Sequence, residues 1–313
     1  MDRNSYVKIA YYYYVLGLTQ DEIARRMSLT RQRVNQIVRS LADMEIVSIN
    51  IRGYEHEHAR LECELEERYS LTRVLVAEDY GEVETAIYKV ANVAAQYLDE
   101  TIRQGDVIGV SWGQTLEQIV RQMPYRKREK CTVGQLMGAY NVPDGTRSGW
   151  KSDELVRNLA NRFECGAHNF YAPLVVEHEE TKRWLMRERG IQASFDQMKS
   201  CDIAVIAVGA ISEEATMYRR GNYTRAEMEE LRADGFVAEL LMNPVRADGS
   251  SEGSVFASRV MSADIDCLRG IKNTVLVACG MKKAEATTAA LATGCVNTLI
   301  LDRTTAERIL AGE

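Results

Sequence analysis

Proline is scarce in this sequence, four among 313 residues, and no low-complexity run takes its place. A long disordered or Pro-rich segment is therefore not expected. Cysteine occurs seven times, always singly, at Cys63, Cys131, Cys165, Cys201, Cys267, Cys279 and Cys295. No pair has C-x-x-C spacing and the count is odd, which argues against a disulfide framework and against a zinc site. His56 and His58 lie close together, but an H-x-H pair on a charged helix is more often a solvated face than a metal site; no metal ligand is assigned. No apolar run approaches the length of a membrane span, and the start, Met1-Asp2-Arg3-Asn4, has no signal-peptide core. A cytoplasmic protein with no membrane partner is expected. Enzyme signatures are missing too: there is no G-x-S-x-G, HExxH, Walker or G-x-G-x-x-G sequence. No catalytic residue and no cofactor is assigned.

What remains is ordinary globular material, 46% apolar and 27% charged. The length accommodates one large core plus a small module. The net charge is −6, yet residues 1–52 hold Arg3, Lys8, Arg25, Arg26, Arg31, Arg33, Arg39 and Arg52 against Asp2, Asp21, Glu22, Asp43 and Glu45. A basic head on an acidic body suits contact with a polyanion at one end only. Three sections follow: a helical head over 1–52, a charged helical connector over 53–70, and an α/β body over 71–313. The connector carries Leu61 and Leu65, a spacing that fits a surface helix against the body and a dimerisation helix equally well.

The head is sharply punctuated. Thr19-Gln20-Asp21-Glu22 reads as a capping box, opening a short helix with Ile23, Ala24 and Met27 on one side. After Ser28-Leu29, Thr30 can cap a second helix, on which Val34, Ile37, Val38 and Leu41 form one apolar stripe. The opposite face carries Arg31, Gln32, Asn35, Gln36 and Arg39. Two short helices, a tight turn and a second helix that is apolar behind and polar in front make a helix-turn-helix; an ordinary helical hairpin is the bland alternative. Arg31, Gln32 and Asn35 sit near the start of the second helix, where side chains reach base edges. Arg25, Arg26 and Arg39 suit phosphates, and Gln20, Thr30 and Arg33 complete the expected DNA contacts. Ile46–Ile51 reads as a strand, as in a β-wing. The run Tyr11–Tyr14 covers every side of a helix, so it mixes core and surface.

In the body, apolar runs alternate with amphipathic helices. Strands are expected over Arg73–Ala77, Val107–Val110, Cys131–Met137, Ala167–Tyr171, Asp202–Val208, Thr274–Cys279 and Thr298–Leu301. Helices are expected over Val83–Arg103, Thr115–Met123, Asp153–Phe163, Met281–Ala292 and Thr304–Leu310. This alternation indicates a doubly wound, mostly parallel sheet.

Parallel sheets bind ligands outside the carboxyl ends of their strands. Ser111-Trp112-Gly113-Gln114-Thr115 follows one strand and opens a helix, offering hydroxyls and free amides to an anion. Gly280-Met281-Lys282-Lys283 follows another. Two lysines at a helix start oppose the macrodipole unless an anion is bound; two solvated surface lysines are the alternative. Gly138, within Gln135–Asn141, and Gly209-Ala210-Ile211 end strands where backbone can approach a ligand or simply turn.

In order and spacing, several stretches resemble the SorC family of sugar-responsive transcription regulators. In the head they are Tyr13-Tyr14, Leu18–Ala24, Leu29–Val34 and Ile46-Val47. In the body they are Ser111–Leu116, Gly235–Gly249, Cys279–Ala286, and Asn297–Asp302 with Ala306. The resemblance implies a winged-helix-like head and a sugar-phosphate-isomerase-like effector domain used for sensing. It implies that Ser111–Thr115 and Lys283 hold a phosphate or equivalent anion and that Glu239 contacts sugar hydroxyls. It also implies operator DNA as a partner and homo-oligomers, commonly tetramers. Two departures stand out: Cys279 replaces the first of two glycines usual before the lysine segment, and Glu239 stands where Asp is usual. A sugar-phosphate isomerase or aldolase-like enzyme with an added head is the rival reading, and a body that only oligomerises is a third.

Overall fold

The structure, a computed structural model, describes residues 1–47, 56–78, 82–139, 151–219 and 221–312. The chain divides into two compact units, Met1–His56 and Glu57–Glu313.

The head holds α1 (Arg3–Ala10), α2 (Gln20–Met27) and α3 (Arg31–Ser40). Ile9, Ile23, Val34, Ile37 and Leu41 close its small core. The expected capping box is formed: the Thr19 hydroxyl accepts from the Glu22 amide, and the Glu22 carboxylate accepts from the Thr19 amide at 2.8 Å. Ser28 ends α2 in a left-handed conformation, φ 54°. The Thr30 hydroxyl starts α3 by accepting from the Arg33 amide at 3.1 Å. α1 runs on as a π-helical turn over Tyr11–Val15; Tyr12 and Tyr13 pack on the core while Tyr11 and Tyr14 are exposed. The expected wing strand is not seen where it is described. The Ile46 and Val47 amides both donate to the Leu41 carbonyl, at 3.0 and 3.2 Å, so this is a turn beneath the core; Ser48–Ile51 lie outside the described residues.

The second unit opens with α4 (His56–Tyr69), β1 (Arg73–Ala77), α5 (Val83–Thr101), β2 (Val107–Val110), α6 (Gln114–Gln122), β3 (Thr132–Gln135), α7 (Ser152–Phe163) and β4 (Gly166–His168). It continues with α8 (Glu179–Leu185), α9 (Arg189–Lys199), β5 (Ile203–Ala210), α10 (Thr216–Arg219), α11 (Arg225–Ala233), β6 (Phe236–Leu240) and β7 (Asn243–Arg246). It closes with α12 (Ile265–Gly270), β8 (Asn273–Ala278), α13 (Ala284–Ala292), β9 (Thr298–Asp302) and α14 (Arg303–Ala311). Seven parallel strands run in the order β1-β9-β8-β5-β2-β3-β4. Alternate residues serve opposite faces: Ile203 and Val205 meet α5, α6 and α7, while Ala204 and Ile206 meet the other layer. The sheet is thus doubly wound and its central strands are buried on both sides.

Leu61 and Leu65 of α4 are fully buried in the body core, which favours the helix-against-body reading of the connector. His58 is buried as well, with Nε2 3.1 Å from a Glu78 carboxylate oxygen, so the solvated face expected for the H-x-H pair is corrected at this position. Helices α8 to α12 and the strands β6 and β7 were not foreseen. β6 and β7 form an antiparallel hairpin attached to the far end of β5, with Val208, Gly209 and Ala210 opposite Leu240, Glu239 and Ala238.

Candidate functional site

On α3 the apolar stripe is buried and the other face is open. Arg31, Gln32, Arg33, Gln36 and Arg39 are exposed and Asn35 is half-buried. The Gln20 amide donates to the Asn35 side-chain oxygen at 3.3 Å, so α2 holds Asn35 in place near the start of α3. Arg31 faces Asp21 at 3.8 Å, and Arg33 donates to Gln36 at 3.2 Å. These contacts are exposed and weak, so both arginines can leave them for a stronger acceptor. Thr30 lies beside them, its hydroxyl engaged in the cap. The six polar side chains and Thr30 therefore form one continuous ridge of donors and acceptors.

In the body, three strand ends meet. β5 lies between β2 and β8, and the chain winds outward to opposite sides from the β2–β5 boundary, the kind of switch point where α/β sheets hold ligands. β2 delivers Ser111, whose amide donates to the Val205 carbonyl at 3.0 Å. Its hydroxyl is buried and has no hydrogen-bond partner among the described residues. Trp112 packs against the core and Gly113 adopts φ 127°, a turn that favours glycine. Among the described residues α6 has no side-chain cap, so its first amides can serve an anion. Gln114 is exposed there and Thr115 is buried.

β8 delivers the lysine segment. Gly280 turns at φ 98°, and its amide donates to Asp302 at 2.7 Å. Lys282 and Lys283 occupy a single 3-10 turn ahead of α13 rather than the α-helix itself, because the turn closes through the Lys283 amide onto the Gly280 carbonyl. Lys282 points outward to pair with exposed Glu214. Lys283 points inward: its ammonium donates to the Val208 carbonyl at 3.1 Å.

Glu239 arrives from the hairpin. It sits opposite Gly209, and a Cβ at that position would collide with its carboxylate; Gly209 therefore makes room for the acid. One carboxylate oxygen accepts from the Met242 amide at 2.6 Å. Burial pushes the Glu239 carboxyl up, with Met242 and the Lys283 charge opposing. Burial likewise lowers the Lys283 ammonium, and Glu239 opposes. The fold thus brings Glu239 and Lys283 together around the end of β5, with the Ser111–Thr115 loop at the neighbouring strand. Gly138 plays another part. Its amide is committed to the Met261 carbonyl at 2.8 Å, and a Cβ would strike the Ala172 and Pro173 carbonyls; close backbone packing accounts for this glycine.

Asp302 went unassigned in the sequence. It is fully buried, caps α14 through the Thr305 amide, and accepts from the Thr305 hydroxyl as well as from Gly280. It fixes the loop that aims Lys283. An Asp before a helical Arg-Thr-Thr reads as a cap; its second duty is set by the pairing of β8 with β9 and has no local signal.

Among the described residues no helix is long and apolar enough to cross a membrane. The model of the sugar-binding domain family, Sugar-bind, matches residues 55–311. The deoxyribonucleoside regulator of Bacillus subtilis is 26% identical over 308 residues, covering 97% of this chain and 96% of that one. An erythritol catabolism regulatory protein of Brucella abortus is 24% identical over 307 residues, covering 97% and 95%. The full-length sorbitol operon regulator of Klebsiella pneumoniae shares the fold, with TM-score 0.76 and 22% identity over 98% of each chain. With a helix-turn-helix head and a doubly wound body matched end to end, the chain belongs to the SorC family of sugar-binding transcriptional regulators.

Proposed function

We propose that this regulator controls a carbohydrate-utilisation operon from the cytoplasm, reading operator DNA with α3 and sensing a phosphorylated sugar or polyol at the ends of β2, β5 and β8. The observation that carries the reading is the pair of buried Glu239 and half-buried Lys283 at the end of β5, each displaced toward its neutral form, with the start of α6 at the neighbouring strand. An acceptor and a donor side by side suit sugar hydroxyls, and free helix amides suit the anion. Nothing in this arrangement demands turnover, so the sensing role is preferred to catalysis. The effector acts by binding two oligomer conformations, of a tetramer on paired operators, with different affinity.

Lys283 shifts its ammonium from the Val208 carbonyl toward the bound anion. A charge-assisted bond of that kind contributes roughly 1.5–3 kcal/mol, so Lys283→Ala weakens effector binding about 10- to 150-fold. Lys282→Ala, at an exposed ion pair, changes little. Calorimetry with phosphorylated and free sugars, run on both variants, checks this. Wild-type affinity in both variants, or a preference for the free sugar, refutes the phosphate reading.

A further inference from the structure

Tyr223 lies just ahead of α11 and is 3% exposed. Its ring is wedged between two others, edge-on to Phe256 with centroids 5.7 Å apart and tilted against Tyr218 at 6.2 Å. The backbone on both sides is tied down: the Asn222 amide donates to the Met217 carbonyl, and Thr224 forms a capping box with Glu227. The ring is therefore held by aromatic neighbours on two sides and by a fixed backbone. Yet its hydroxyl makes no hydrogen bond among the described residues.

Buried hydroxyls in folded proteins are nearly always paired, because an unmet one destabilises the fold. Phenylalanine would fill this aromatic niche without that penalty. Tyr223 leads into α11, which packs on β6, the strand that carries Glu239, and burial together with that neighbouring charge keeps the phenol protonated, hence a donor. A buried donor and a buried acceptor then share one neighbourhood, and the Ser111 hydroxyl is a second unmet group at the adjoining strand end. A ligand hydroxyl matches this pairing, since it accepts from a phenol and donates to a carboxylate at once.

We propose that Tyr223 is a further effector-contacting residue, donating a hydrogen bond to a sugar or polyol oxygen held by Glu239. The inference rests on the sugar-sensing reading above. It makes the site selective for a hydroxyl at that position, because a deoxy compound leaves both protein groups unmatched.

The test uses the full chain with ribose 5-phosphate, 2-deoxyribose 5-phosphate, glucitol 6-phosphate and fructose 6-phosphate as probes. Melting temperature and calorimetric affinity are measured for wild type, Tyr223→Phe and Lys283→Ala. Tyr223→Phe is expected to melt at or above wild type without a probe, and to bind the tightest wild-type probe about tenfold more weakly. A lower melting temperature of Tyr223→Phe shows that the hydroxyl already has a partner in the protein and overturns the proposal. So does affinity within twofold of wild type where Lys283→Ala has lost binding; the sugar-sensing reading then stands alone. If no probe shifts the wild type, both readings fall.

Discussion

At the scale of single residues, the paired titrating groups carry a pH signature. Burial raises the Glu239 carboxyl above its ordinary 4.5. The folded chain then holds that proton more tightly than the unfolded chain does. The resulting stability is fully present below the unfolded value and is lost as pH rises through the folded one. Glu239→Gln has no charge to acquire, and its amide oxygen can still accept from Met242. Losing the attraction to Lys283 offsets part of the gain. The variant is therefore expected to melt above wild type at pH 7, with the gap closing as pH falls toward 4.5. A variant that melts below wild type at pH 7 contradicts this. On α3, the half-buried Asn35 and exposed Arg39 should separate in the same residue-by-residue way. Arg31→Ala or Asn35→Ala costs about 1–3 kcal/mol at the cognate operator and relaxes base preference there. Arg39→Ala weakens cognate and random DNA alike and lowers the salt slope. Titrations at several salt concentrations distinguish the two, and wild-type binding by the variants at 31 and 35 would remove base reading from this end of the helix.

At the scale of elements, most of the parallel strands were legible because they are short apolar runs bounded by turn residues. Val107–Val110 matches its expected bounds, and Arg73–Ala77 does as well. The β6–β7 hairpin was hidden for a physical reason. Two-residue hairpin turns usually announce themselves with Asn-Gly or Asp-Gly, whereas here Leu241 and Met242 take positive φ, 53° and 66°, while buried. Pro244 within β7 also argues against a strand. The strain is held by neighbours: the Asn243 side-chain amide donates to the Leu240 and Ala263 carbonyls, and Ser262 donates to Leu241. Such over-determined strain gathers at ligand sites. The proposed site was legible only in part. Lys283 and the Ser111 loop announced themselves through glycine turns and helix starts, and Glu239 entered only through the family resemblance. Tyr223 and Asp302 were silent, because their importance lies in what is, or is not, opposite them across the fold.

At the scale of the whole molecule, two units with separate cores imply separable functions. Residues 57–313 produced alone are expected to fold, to form the oligomer and to bind effector as the full chain does, while losing operator DNA altogether. Sedimentation and calorimetry on that fragment check both halves of the claim; a fragment that is monomeric, or that has lost the effector, shows that the head is needed for assembly or sensing. Within the larger unit, β5 serves two masters. Its first part is locked between β2 and β8, whereas among the described residues the strand partner of its last three is the hairpin strand β6. Two partners thus divide one strand: the parallel sheet holds its first five residues and the hairpin its last three, so a substitution in the hairpin turn reaches Glu239 without touching a ladder of the parallel sheet.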